Sequence, residues 1–113
     1  ILISEKEVEI YRIIEKLFSG DEFEIKRYIE NKDISENPSQ FISSITMQIE
    51  RYLSLKGLLE KGEQLEKALK LVGIPIFKKE MAKKILKNIS YKKSKKILSY
   101  LFEMDKKIKL GIM

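Results

Sequence analysis

Apolar residues recur along this chain at steps of three and four, and period-two alternation persists nowhere. That spacing predicts helices almost throughout, because positions three and four apart share one helix face. Punctuating residues divide the pattern into five segments. The first runs from about Glu5 to Phe18, with Ile10, Ile14, Leu17 and Phe18 on its inner face. Ser4 and Glu7 have the spacing of a capping box, and Gly20 suits the left-handed residue that ends a helix. The second segment, about Glu22 to Asn31, starts after the N-cap candidate Asp21 and turns Ile25, Tyr28 and Ile29 inward. Residues 31–37 are polar and read as a loop.

The third segment is the longest, from Pro38 to about Glu60. Asn37 is placed to cap it, Pro38 fits the first helical position, and Gln40 completes a capping-box variant. Its stripe is Phe41, Ile42, Ile45, Ile49, Tyr52, Leu53 and Leu59. Gly57 weakens a helix interior by roughly 1 kcal/mol relative to Ala. It therefore marks either a close helix crossing or an early end. The fourth segment is broken. Residues 63–72 carry Leu65, Ala68, Leu69 and Val72, then Gly73-Ile74-Pro75 interrupts, since Pro75 pushes Ile74 out of the helical region. A second piece, about Phe77 to Asn88, carries Met81, Ile85 and Leu86. The fifth starts near Tyr91 after a Ser90 cap and runs to about Leu110, with Ile97, Leu98, Leu101, Met104 and Ile108 inside and Gly111 after its end. The expected architecture is an all-α bundle of five to six helices with short connections.

Composition narrows the chemistry. The 113 residues contain no Cys and no His, which removes disulfides, thiolate metal sites, and the commonest general base. The missing Cys fits a cytoplasmic location. No apolar run approaches the ~18 to 20 residues of a membrane span. The chain begins at Ile1, not Met, with no signal-peptide pattern, so it reads as a fragment of a longer protein. The net charge of +6 is unevenly placed: residues 1–60 hold 8 Lys/Arg against 12 Asp/Glu, and residues 61–113 hold 15 against 5. Only Arg12, Arg27 and Arg51 are arginines among the 23 basic residues. Together with abundant Ile and Glu, this Lys bias matches what an AT-rich genome imposes on any protein.

Three features invite a functional reading. Residues 57–62, Gly-Leu-Leu-Glu-Lys-Gly, have half of a phosphate-loop spacing. The next two residues should be Lys and Ser or Thr, yet they are Glu63 and Gln64, and no strand precedes. A helix end followed by a turn explains them better. Asp21, Glu22 and Glu24 cluster at a helix start, where the helix dipole already favours negative charge. Asp105 stands alone among Lys106, Lys107 and Lys109, an arrangement for surface pairing. No catalytic, cofactor-binding or metal-binding residue is expected. The basic half offers an electrostatic face: Lys79, Lys83 and Lys87 share one side of a helix, Lys84 flanks them, and Lys92 and Lys96 share a side of the next. Such a face can neutralise phosphates, or it can be solvated surface opposite an apolar stripe. A helix-turn-helix over residues 79–101 is a weak alternative, because the turn Asn88-Ile89-Ser90 lacks glycine.

Beyond these local patterns, Gln48 to Lys56 (QIERYLSLK), Glu60-Lys61-Gly62, Leu69 to Phe77 (LKLVGIPIF) with Lys78-Lys79, and Leu98 to Gly111 (LSYLFEMDKKIKLG) occur in that order. Leu17 to Asp21 (LFSGD) precedes them. This series resembles the C-terminal domain of bacterial DNA polymerase III delta subunits. Each motif is a packing pattern with little specificity alone, but their order covers most of the chain. The resemblance implies one helical domain over residues 1–113, of the clamp-loader collar type, with two AAA+-like domains preceding it in the complete protein. It implies a non-catalytic oligomerisation role in the cytoplasm during sliding-clamp loading, with the tau/gamma and delta-prime subunits as partners. Contact with the sliding clamp would belong to the first of the preceding domains, and DNA contact would be weak or indirect. The family pattern also continues into one more helix after the final IK-x-G turn, so a further segment is expected after Met113. The alternative reading of the residues is a basic helical nucleic-acid-binding domain.

Overall fold

The computed structural model describes residues 5–19, 27 and 38–111, and the side chains within these from residue 10 onward. They form five α-helices: α1 (Glu5–Phe18), α2 (Pro38–Glu60), α3 (Leu65–Val72), α4 (Lys79–Asn88) and α5 (Tyr91–Lys109). A 3-10 turn, Ile76–Lys78, joins α3 to α4. No strand occurs among the described residues. The fold is the expected all-α bundle. The expected second helix, apart from an exposed helical Arg27, lies outside the described residues, as do the Ser4, Asp21 and Asn37 caps and Gly20.

Helix α2 is the hub. Helices α1, α3, α4 and α5 all pack on it, and α5 does so most extensively. A helix surrounded in this way must be apolar on more than one side. Phe41, Ile42, Ile45, Ile49, Tyr52 and Leu55 are buried, while Leu53, Leu58 and Leu59 are partly buried against the same core. Two contacts at opposite ends fix the direction of α5. Ser39 in the first turn of α2 donates a hydrogen bond to Asp105 near the end of α5. Tyr91 at the start of α5 donates one of 2.7 Å to Glu60 at the end of α2. The two helices are therefore antiparallel.

Helix α1 lies against α2, α4 and α5. Its four predicted inner residues are buried, and so are Tyr11 and Ile13, because three neighbours widen the covered arc. Tyr11 meets Tyr52 edge to face, with centroids 6.2 Å apart and planes at 74°, a geometry the ring quadrupoles favour. Burial and the adjacent Tyr11 phenol hold the Tyr52 phenol protonated far above its ordinary range.

The helix ends follow from local chemistry. Helix α3 closes on Gly73, whose φ of 82° is left-handed. The Gly73 N–H donates to the Lys70 carbonyl and the Ile74 N–H to the Leu69 carbonyl, which is the Schellman pattern. Leu69 and Ile74, the positions of its usual apolar contact, are both buried in the core and line the same pocket. Pro75 then holds an extended backbone, and Lys78 donates to the Pro75 carbonyl to form the 3-10 turn. Phe77, expected as the first residue of the next α-helix, lies in that tight turn instead; the α-helix starts at Lys79. Helix α5 opens as expected, with the Ser90 hydroxyl accepting from the Lys93 N–H at 3.1 Å.

Candidate functional site

The six lysines of the electrostatic face sit on two helices with different surroundings. On α4, Lys79 pairs with Glu66 of α3 at 2.9 Å, and Lys83 pairs with Glu80 at 3.5 Å. Lys79 holds the Glu66 carboxyl below its ordinary range, chiefly through that hydrogen bond. Lys84 and Lys87 line a cleft with Glu15, Lys16, Ser19 and Asn88, where the ends of α1 and α4 meet. On α5, Lys92 and Lys96 are exposed. Helix α4 joins α5 through Ile89 and Ser90 alone, a shorter link than the three to four residues of a helix-turn-helix. Ile89 is buried in an extended conformation, so the link is pinned to the core.

Much of this basic charge has a local structural reason. Lys16 is in the last turn of α1, and the Lys93 ammonium donates to the Phe18 carbonyl at 3.2 Å. Lys87 is in the last turn of α4. Unpaired carbonyls give a helix C-terminus partial negative charge, so cations there are stabilising. The cleft is thus two helix ends dressed with lysines, and Lys84 and Lys87 have no acidic partner among the described residues.

The other motifs resolve into structure. Residues 57–60 are the last turn of α2, and the turn after them repeats the Schellman arrangement around Gly62, whose φ is 96°. Lys61 donates to Gly57 and Leu58, Gly62 donates to Leu59, and Glu63 donates to Leu58. These N–H groups, which a phosphate loop would present to its ligand, are turned back on the helix. Gly57 itself lies within α2, and the Tyr91 hydroxyl passes 3.6 Å from where its Cβ would be. Asp105 pairs with Lys109 at 2.8 Å, as the surface-pairing reading expected, and also accepts from Ser39. Both partners, Lys109 first, hold its carboxyl below the ordinary range. The acidic cluster at residues 21–24 lies outside the described residues. Among the described residues no group of His, Cys, Asp or Glu could hold a metal, and no helix is long and apolar enough to cross a membrane.

Two uncovered apolar surfaces, by contrast, have no local explanation. One is a groove of about 290 Å³ between α2 and α5, with Met47 exposed on one wall and Phe102 (68 % exposed) on the other. The second lies at the α3 end and 3-10 turn, where Leu71 (61 % exposed), Ile76 and Phe77 face outward. Ile76 there joins Leu69, Ile74 and Pro75 along a shallow pocket of about 410 Å³. The two surfaces share no residue. Periodicity missed them, because it marks apolar positions without saying which remain uncovered.

The family model for the C-terminal domain of the DNA polymerase III delta subunit matches residues 7–113. The chain belongs to that family. The match spans almost all of α1, the whole of α2 to α5 and both apolar surfaces, so these surfaces are features of a delta C-terminal domain. No curated protein and no solved structure matches the chain.

Proposed function

We propose that this delta C-terminal domain is a non-catalytic assembly module that holds the delta subunit in the collar of the replicative clamp loader, in the cytoplasm. The observation that carries the reading is the pair of separate apolar surfaces, α2–α5 and α3 with the 3-10 turn. A protein inside a ring meets a different surface on each side, so it needs two distinct faces. Large exposed apolar side chains grouped in this way mark association surfaces. The neighbours are the tau/gamma and delta-prime subunits. The sliding clamp is engaged by the preceding part of the delta subunit and not by this domain.

Lys79, Lys83, Lys84, Lys87, Lys92 and Lys96 supply the electrostatic share of one contact. Lys84 and Lys87 contribute most, because Lys79 and Lys83 already hold acids within the chain. Charges at an interface rim mainly set association rate and orientation. The test is co-elution of the full-length delta subunit with its tau/gamma and delta-prime partners, followed by light scattering. A defined heteromer is expected, and its formation weakens with salt. Reversal of Lys83, Lys84 and Lys87 to Glu reduces that salt dependence; unchanged assembly and salt response would remove the electrostatic role.

A second reading, phosphate contact by a basic nucleic-acid-binding domain, is favoured by the cleft that Lys84 and Lys87 line with no acidic partner among the described residues. It requires DNA affinity that falls steeply between low and moderate salt. Flat binding across that range eliminates it.

A further inference from the structure

We infer that the α2–α5 groove is a seat for a single amphipathic helix of a neighbouring clamp-loader protein, one whose apolar stripe is flanked by Lys or Arg. The inference rests on the assembly reading and assigns a shape and a charge to one of its two contacts.

The groove walls have matching periodicity. Ser43, Met47 and Glu50 of α2 lie at i, i+4 and i+7, and so do Leu98, Phe102 and Asp105 of α5. Each wall is one continuous helix stripe, and two adjacent stripes leave the furrow into which the ridge of a third helix packs. Seven residues of helix cover roughly 10 Å. The occupant therefore needs about two helical turns of apolar side chains. Phe102 and Met47 stand uncovered at the middle of the two walls, where a packed anchor contributes most.

Charge selects the occupant further. The two helices are antiparallel, as the Ser39–Asp105 and Tyr91–Glu60 contacts require. Glu50 and Asp105 therefore sit at opposite ends of the furrow. Among the described residues they are the only ionisable ones that line it, on a chain of net charge +6. At the Asp105 end Lys109 already answers the carboxylate. At the other end Glu50 meets no cation among the described residues. A partner helix then places its Lys or Arg against Glu50 and its apolar residues against Phe102 and Met47. A helix with acids in those positions is repelled.

The test uses the full-length delta subunit with its own organism's tau/gamma and delta-prime subunits. Phe102→Glu alters an exposed side chain, and retained helicity in the far ultraviolet verifies the fold. It is expected to weaken assembly at least tenfold, and Glu50→Lys is expected to weaken it with a steeper loss in low salt than in high salt. Met47→Cys gives a readout independent of both: maleimide reacts with the thiol in the free protein and is excluded in the assembly. Unchanged assembly by folded Phe102→Glu, or equal maleimide rates in the free and assembled states, overturns the groove as the seat while leaving the assembly reading intact. Self-association of delta alone that Phe102→Glu abolishes, with heteromer formation unaffected, assigns the groove to a second copy and overturns it as well. Assembly that survives removal of residues 1–113 overturns the assembly reading itself.

Discussion

Gly57 and Gly73 should respond in opposite directions to the same substitution, and the structure sets the sign of each. Gly57 sits inside α2 with ordinary helical surroundings, and an added Cβ would lie 3.6 Å from the Tyr91 hydroxyl, a normal contact. Alanine there exchanges the least favourable ordinary helix residue for the most favourable one. The expected gain is about 0.8 to 1 kcal/mol. Gly73 also has open space around its missing Cβ, but its φ is 82°. Alanine at that position meets the clash between Cβ and carbonyl that disfavours the left-handed region, at a cost of roughly 1 to 2 kcal/mol. Unfolding entropy near 2.1 cal/mol/K per residue converts 1 kcal/mol into a shift of about 4 °C for a chain of 113 residues. Gly57→Ala should therefore raise Tm by roughly 3 to 4 °C, and Gly73→Ala should lower it by roughly 4 to 8 °C. Thermal melts followed by circular dichroism at 222 nm suffice, with helicity at 20 °C as the check on fold. Shifts of the same sign would refute the reasoning. A loss at Gly57 would mean that the approach of Tyr91 leaves no room for a methyl group. A neutral result at Gly73 would mean that α3 ends without its left-handed residue.

Three further outcomes follow from the packing. Leu101→Ala empties a fully buried position, and urea unfolding should register a loss of about 2 to 5 kcal/mol. Ser90→Ala removes the hydroxyl that caps α5 and should lower stability by about 1 kcal/mol, while Ser90→Asp, another good cap, should retain most of it. Lys109 and Ser39 lower the folded-state pKa of Asp105 below its unfolded value. Its contribution is therefore complete above the unfolded carboxyl pKa and is lost as pH falls through the lowered folded value. Asp105→Asn should consequently melt below the parent chain near neutral pH, with the gap closing on the acid side; a gap independent of pH contradicts the assignment.

The long helices were legible because periodicity and punctuation agree in them. The Glu5–Phe18 and Pro38–Glu60 spans and the start at Tyr91 match the pattern residue for residue. The 3-10 turn was not legible: Pro75 announces a break, but whether the chain resumes as α or 3-10 depends on how Ile74 docks behind it. Core membership was readable for one face per helix and failed where neighbours cover two. Tyr11, Ile13 and Leu55 are buried for that reason. On α4, Ala82 and Ile85 form the buried face, and the larger Met81 and Leu86 are only partly covered. Ile89, read only as part of the turn before Tyr91, is a core residue. The electrostatic face was visible as a succession of lysines, but its pairing was not, since Glu66 reaches Lys79 from a different helix. The groove required the antiparallel pairing of α2 and α5, which local sequence does not encode.

The bond between Ser39 and Asp105 spans 66 residues, and it has a consequence for synthesis on the ribosome. The first partner of the pair emerges long before the second. At about 5 to 20 residues per second, Asp105 emerges roughly 3 to 13 s after Ser39, and the 30 residues between the end of α2 and the start of α5 leave the whole of α2 outside the tunnel, before any of α5, for roughly 1.5 to 6 s. Throughout that window the hub helix carries its apolar stripe without the helix that packs on it most extensively. Nascent chains stalled when α2 has cleared the tunnel and α5 has not should thus engage hydrophobic-binding chaperones, and those long enough for α5 to clear it as well should release them.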